Sequence, residues 1–305
     1  MTPAPALHGD IPVGNWIDRW APKAARPYLR LMRIDRPIGT WLLLFPCWWS
    51  AALAAEGWPD PWLFALFAIG AVVMRGAGCT VNDIADHKFD AQVERTRGRP
   101  IPSGTVSLWQ AAAFLGLQLA VGLLVLVQLN PFTMAVGAAS LLLVFPYPLM
   151  KRITYWPQAW LGLTFNWGAL VGWAAVTGGI GLPALLLYAA GIVWTLGYDT
   201  IYAHQDKDDD ALIGVKSTAL RLGDATPRWL VFFYGTALAL IAAAGWSAGL
   251  SWAFWPLLAL AGAQLAWQVA TVNIDDSADC LSKFKSNRFF GWALLAAIVA
   301  GKVVG

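Results

Sequence analysis

Charge is what this sequence has least of. Only 13% of its residues are Asp, Glu, Lys or Arg, about half the share of an average soluble domain. The shortfall comes as long charge-free runs, which excludes a soluble globular domain and places the chain in lipid. The net charge is a small +3, which argues against a nucleic-acid partner. Cysteine is scarce too. Cys47, Cys79 and Cys280 share no paired spacing, so neither a disulfide framework nor a zinc site is indicated. Two of them lie in apolar runs, where a thiol behaves as a small hydrophobe. Residues 1–15 contain neither a basic n-region nor an apolar h-region, so no cleavable signal is expected. Walker and dinucleotide glycine patterns are absent.

What is abundant is apolar: 58% hydrophobic residues with 19 Trp, 18 Pro and 29 Gly, and a mean hydropathy of +0.55. Trp collects at membrane interfaces, and Gly and Pro are commoner in membrane helices than in soluble ones. A spanning helix needs about 20 mainly apolar residues. Nine stretches qualify: 38–55, 61–81, 108–128, 131–149, 158–177, 182–203, 229–247, 251–272 and 288–305. Short connectors such as 129–131 and 177–183 carry Gly or Pro and read as helical hairpins.

Lys and Arg then appear in alternate connectors only. They are Arg19, Lys23, Arg26, Arg30, Arg33 and Arg36 before the first stretch; Arg75, Lys88, Arg95, Arg97 and Arg99 around the 2–3 connector; Lys151 and Arg152 in the 4–5 connector; Lys207, Lys216, Arg221 and Arg228 in the 6–7 connector; and Lys283, Lys285 and Arg288 in the 8–9 connector. Cytoplasmic loops carry such an excess. The expectation is an all-α, multi-pass membrane bundle of nine transmembrane helices with a cytoplasmic N-terminus. Residues 1–37 form a cytoplasmic segment, in which 22–36 is either an interfacial amphipathic helix or a polar lead-in. Residues 38–305 form one nine-helix domain. The long connectors, 2–3 and 6–7, lie on the cytoplasmic side, so function is expected there.

Two acidic clusters stand at helix ends on that side. The first reads Asn82-Asp83-Ile84-Ala85-Asp86-His87-Lys88-Phe89-Asp90. Residues at i, i+4 and i+8 share a helix face, so Asn82, Asp86 and Asp90 make an oxygen-bearing stripe with Asp83 beside it. The second reads Asp206-Lys207-Asp208-Asp209-Asp210, with Asp199 seven residues earlier inside the apolar run. A solvated helix end would explain one such cluster. Two with matched spacing point to a shared cation, because stacked carboxylates repel one another and are costly near lipid. Oxygen ligands without Cys or His pairs indicate magnesium, which shares its shell with substrate phosphates. Arg95, Arg97, Arg99, Lys151 and Arg152 suit phosphate, although the same residues serve the orientation rule. Arg75, seven residues before Asn82 and inside an apolar span, reads as a site residue. His87 and His204 have no metal-ligand partner in the pattern. A cation-coupled transporter also uses intramembrane carboxylates, but here they cluster at the cytoplasmic ends and not at the midplane.

The stretch 82–90, followed by Glu94-Arg95-Thr96-Arg97-Gly98-Arg99-Pro100-Ile101-Pro102-Ser103-Gly104, resembles the first signature of the UbiA-type membrane prenyltransferases, and 206–210 resembles their second aspartate motif. The stretches Arg33-Ile34-Asp35-Arg36-Pro37-Ile38-Gly39-Thr40-Trp41, Tyr147-Pro148-Leu149-Met150-Lys151-Arg152-Ile153-Thr154 and 198–210 look like the branch of that family acting on 4-hydroxybenzoate in ubiquinone biosynthesis. The resemblance implies a nine-helix bundle that moves a polyprenyl group from polyprenyl diphosphate to 4-hydroxybenzoate. It implies Mg2+ held by Asn82, Asp83, Asp86, Asp90, Asp206 and Asp210, and diphosphate held by Lys151, Arg152, Arg95, Arg97 and Arg99. It further implies catalytic roles for Asp86, Asp199 and Asp206, and an acceptor site with Arg36 or Arg75. A haem, chlorophyll or menaquinone precursor is the rival acceptor. The implied location is the bacterial inner membrane, or the mitochondrial inner membrane for a eukaryotic source.

The orientation is directly testable. A reporter active only outside the cytoplasm is expected to be active when fused after Thr177 and silent after Lys216; the reverse pattern overturns both the orientation and the side of the site.

Overall fold

The computed structural model describes residues 7–8, 11–12, 14–92, 96–207, 211–212 and 214–304. A short antiparallel pair, β1 (Leu7–His8) with β2 (Ile11–Pro12), precedes an otherwise helical chain. The helices are α1 (Trp16–Trp20), α2 (Arg26–Leu31), α3 (Ile38–Ala54), α4 (Pro61–Asp90), α5 (Leu108–Leu126), α6 (Pro131–Ala139), α7 (Leu141–Val144), α8 (Tyr147–Ile153), α9 (Pro157–Phe165), α10 (Gly168–Thr177), α11 (Leu182–Ala203), α12 (Thr218–Leu222), α13 (Thr226–Ser247), α14 (Phe254–Thr271) and α15 (Ser277–Val303). Two compact units are Met1–Thr40 with Ala68–Gln128, and Trp41–Phe67 with Leu129–Gly305.

Among the described residues, six helical stretches are long and apolar enough to cross a membrane: Pro61–Asp90, Leu108–Leu126, Pro131–Ile153, Pro157–Thr177, Leu182–Asp206 and Thr218–Ser247. The protein is therefore an integral membrane protein. The first expected span is the apolar but shorter α3, and the last two expected stretches fall on α14 and α15.

Helix starts follow local chemistry. Pro occupies the first turn of α6, α9, α11 and α13, where its missing N–H is no loss. Ser107 and Gln110 cap α5 reciprocally, as a capping box requires. Breaks inside spans also have local causes. Residues 131–153 divide into three helices, with breaks at Ser140 and around Pro146, the second because proline removes a ladder donor. The α9–α10 break at Asn166 is satisfied from within on its donor side, where Nδ2 donates to the Gly162 carbonyl at 2.9 Å and to Thr195 Oγ1 at 2.8 Å, while Oδ1 is buried without a hydrogen-bond partner among the described residues. Internal satisfaction is what irregular backbone at membrane depth demands. One expectation is corrected here. Lys151 and Arg152 lie in the last turn of α8 and not in a connector, because the helix resumes after Pro146 with Pro148 in its first turn, where a proline is tolerated.

The first unit has an apolar cluster of Leu31, Ile101, Val106 and Ala111, against which Tyr28, Ile84 and Phe114 pack. Full burial of one such aliphatic side chain contributes about 1.5–3 kcal/mol. The cluster joins α2, α4, α5 and the 96–107 loop, and Leu31 at its centre is fully buried.

The second unit packs through aromatic rings and small residues. Trp49 and Trp194 are buried with ring centroids 5.2 Å apart. Their indole N–H groups are satisfied by the Gly291 carbonyl at 2.9 Å and by Asn287 Oδ1 at 3.0 Å, as buried indoles require. Gly172 of α10 lies so close to α3 that a Cβ there would collide with the Cys47 carbonyl oxygen. Close backbone approach of this kind is how membrane helices gain packing contact.

Candidate active site

Helix α4 carries the first acidic motif because it does not stop where the apolar run stops. It has 30 residues, so it is about 45 Å long against a hydrocarbon thickness of about 30 Å. Its last turns can therefore stand clear of the lipid. Since the helix is unbroken to Asp90, Asn82, Asp86 and Asp90 do share one face. Their environments differ: Asn82 is exposed, Asp86 half-buried and Asp90 buried.

Asp83, expected to stand beside that stripe, is the most enclosed of the four at 1% exposure. Its Oδ1 accepts from Arg33 Nη2 at 2.6 Å and from Arg99 Nη1 at 3.4 Å. Arg99 Nη1 also donates to Asp90 Oδ2 at 2.8 Å. Each partner is placed by the apolar cluster: Leu31 precedes Arg33 by two residues, Ile101 follows Arg99 by two, and Ile84 follows Asp83 directly. The turn around Thr96, whose Oγ1 donates to the Asp90 carbonyl at 2.9 Å, folds the loop back onto the helix end.

Sequence reasoning gives Arg33 no role in the site: it counts as an orientation charge and as the first residue of a family-like stretch, not as the partner of Asp83. Among the described residues it is the one non-glycine with positive φ, at 55°. Such a conformation costs on the order of 1–3 kcal/mol and persists where surrounding structure enforces it. Nothing in the local sequence announces it, since its partner is 50 residues away. Asp35 lies in the same turn. Its carboxyl is fully buried without a hydrogen-bond partner, and Arg36 Nε stands 3.6 Å away. Burial pushes this carboxyl above the usual range, with Arg36 as the strongest opposing charge.

Arg75 is half-buried in the apolar part of α4, and its Nη1 donates to Cys79 Sγ at 2.8 Å. Burying an arginine at membrane depth costs about 2.5–3.5 kcal/mol on insertion scales, which supports its reading as a site residue. Arg36 lies in the turn before α3, Arg97 is exposed in the loop, and Arg95 lies outside the described residues. His87 Nδ1 sits 2.7 Å from the Ile84 carbonyl, a local helix-end contact.

In the second unit, α11 carries Asp199, half-buried, and passes into a 3-10 turn, His204–Asp206, that carries Asp206. The turn is pinned at two points. His204 Nε2 is 2.9 Å from Thr226 Oγ1, and Ser277 Oγ donates to the Gln205 carbonyl at 3.0 Å. Asp210 lies outside the described residues. Lys151 and Arg152 end α8, where the Lys216 backbone N–H donates to the Lys151 carbonyl at 2.9 Å and Lys216 Nζ to the Ile153 carbonyl at 3.2 Å. The segment following the second aspartate motif is thereby tied to the basic end of α8. Lys283, expected in a connector, is instead buried in α15, bonded to Asp279 at 2.7 Å. Among the described residues, no three Asp, Glu, His or Cys side chains form a group that could hold a metal ion.

The profile of the UbiA prenyltransferase family matches residues 43–294. The chain is 53% identical over 291 residues to 4-hydroxybenzoate polyprenyltransferase, mitochondrial, of Arabidopsis thaliana, covering 94% of this chain and 72% of that protein. It is 52% identical over 286 residues to the human protein of the same name, covering 93% and 77%. Among solved structures, a UbiA homolog from Aeropyrum pernix K1 superposes with a TM-score of 0.67 at 26% identity, covering 86% of this chain and 96% of that one. A UbiA homolog from Archaeoglobus fulgidus bound to GPP and Mg2+ shares the fold, with a TM-score of 0.63 at 16% identity over 89% and 99%.

The pairing of Asp83 has a measurable consequence. Arg33→Gln and Asp83→Asn are each expected to lower unfolding stability in detergent by about 1.5–3 kcal/mol, as for other charge-assisted hydrogen bonds. The double variant should lose less than the sum, by a coupling of about 0.5–3 kcal/mol. Strictly additive losses would show that the two side chains do not act on each other.

Proposed function

Because the chain belongs to the UbiA prenyltransferase family, we propose that it transfers a polyprenyl group from polyprenyl diphosphate to the ring carbon ortho to the phenol of 4-hydroxybenzoate, a step of ubiquinone biosynthesis. The observation that carries this reading is the identity of more than half the aligned residues, over almost the whole chain, with relatives that bear this activity in their names. In the reaction the allylic C–O bond breaks, diphosphate leaves with the electron pair, a C–C bond forms and the ring proton is lost.

The donor set fits magnesium. Asn82, Asp86 and Asp206, with Asp210, offer oxygen alone, Asp83 and Asp90 bring oxygens already paired with Arg33 and Arg99, and magnesium takes one or two protein carboxylates together with substrate phosphates. A tight cluster of three side chains is therefore not required. When bound, the ion supplies charge stabilisation to the leaving diphosphate. Arg99, Arg97, Arg95, Lys151 and Arg152 neutralise the same group through forked or point-charge contacts. Asp199 polarises the phenol or takes the proton, and Arg75 or Arg36 meets the benzoate carboxylate. Nine spans cross the membrane, with residues 1–37 on the cytoplasmic side and 38–305 as the catalytic domain. The active face is cytoplasmic in a bacterial inner membrane, or lies in the mitochondrial inner membrane for a eukaryotic source.

Asp86→Asn and Asp206→Asn are expected to lower turnover by about a hundredfold or more, the scale of losing one electrostatic contact to a developing charge, while membrane insertion is retained. Arg152→Lys should lower kcat by about tenfold to a hundredfold. Steady-state kinetics in detergent at limiting Mg2+ decide. Near-normal turnover in either Asp variant makes that cluster structural, and full activity in Arg152→Lys returns this residue to an orientation role.

A further inference from the structure

We propose that Gly39 and Cys79 are positioning residues for the Arg75 guanidinium and through it set the preference for an acceptor bearing a carboxylate. The inference rests on the reading of Arg75 as an acceptor-binding residue. Arg75 is the one charged residue of α4 before Asp83, and inside the first unit its side chain is bounded by Cys79 and by Gly39. On one side its Nη1 donates to Cys79 Sγ, one turn further along the same helix, at 2.8 Å. On the other side lies Gly39, the second residue of α3. A Cβ there would stand 2.5 Å from Arg75 Nε, 3.0 Å from Nη2 and 3.1 Å from Cζ. The Nε–Nη2 edge of the guanidinium thus fills the volume that any side chain at position 39 would take.

The identity of the colliding atoms decides where the effect of a substitution falls. At Gly172 a methyl would strike helix backbone, so the helices themselves would have to move. At Gly39 it would strike the far end of a flexible side chain. Gly39→Ala is relieved by moving the guanidinium and leaves the packing of the helices in place. The consequence is a misaimed Arg75 in a folded protein. A guanidinium grips a carboxylate through two parallel hydrogen bonds, and a displacement near 1 Å is enough to lose them. On that reading the phenol, the diphosphate and the metal are served by other residues. The effect is therefore specific to one functional group of one substrate.

The test compares kcat/KM for 4-hydroxybenzoate with that for 4-hydroxybenzamide, its neutral analogue, in the full chain in detergent. Gly39→Ala and Cys79→Val are each expected to reduce the preference for the carboxylate by about tenfold to a hundredfold, the scale of a lost charge-assisted hydrogen bond. The KM for polyprenyl diphosphate and the thermal midpoint should stay at wild-type values. Cys79→Ser, which keeps an acceptor one turn from Arg75, should keep the preference. Arg75→Gln should abolish it, and adding Gly39→Ala to Arg75→Gln should change nothing further. If Arg75→Gln abolishes the preference while Gly39→Ala and Cys79→Val retain it, the inference is overturned and the reading of Arg75 stands. If Arg75→Gln itself retains the preference, both fall.

Discussion

A carboxylate at 1% exposure has to be paired, because an isolated buried charge is among the most expensive things a protein can hold. Asp83 meets that requirement with Arg33 from the turn after α2 and Arg99 from the loop after α4. Much of the first unit's architecture follows. The apolar cluster around Leu31, Ile84, Ile101 and Val106 brings three distant stretches of sequence together within reach of one carboxylate. The left-handed backbone at Arg33 is tolerated because the ion pair and the cluster hold that turn from both sides. Arg99 then bridges Asp83 to Asp90, so the far end of the oxygen stripe is fixed by the same arrangement.

That the chain is helical and crosses a membrane was legible in the sequence, because lipid imposes length and apolarity together. The one-face alignment of Asn82, Asp86 and Asp90 was legible because α4 obeys its period to the end. What spacing could not reveal was rank. Periodicity assigns Asp83 to the edge of a stripe, whereas its burial and its partners come from 16 and 50 residues away. Arg33 escaped for the same reason. A count of basic residues by connector treats each as an orientation signal and says nothing of which one turns inward. Lys151 and Arg152 fall just past the apolar stretch 131–149 and so read as connector residues, yet α8 continues beyond the apolar run and carries both.

The second unit solves a different problem with different means. Asp206 follows the end of a membrane helix, where chain ends fray, and it is held by contacts at its neighbours: His204 to Thr226 and the Gln205 carbonyl to Ser277. The Lys216 contacts to the end of α8 tie the same region to Lys151 and Arg152. The backbone that carries these acidic and basic groups is thus fixed by hydrogen bonds from backbone and hydroxyl groups of its neighbours.

The claim that joins these features is that they serve carbon prenylation of a hydroxybenzoate ring. The most direct measurement is mass spectrometry of what the purified protein makes from 4-hydroxybenzoate, a polyprenyl diphosphate and Mg2+. The account predicts a product heavier than the acceptor by one polyprenyl group less one hydrogen, with fragmentation locating the new bond on the ring carbon ortho to the phenol. An oxygen-linked product, or turnover only with a different acceptor, would contradict it.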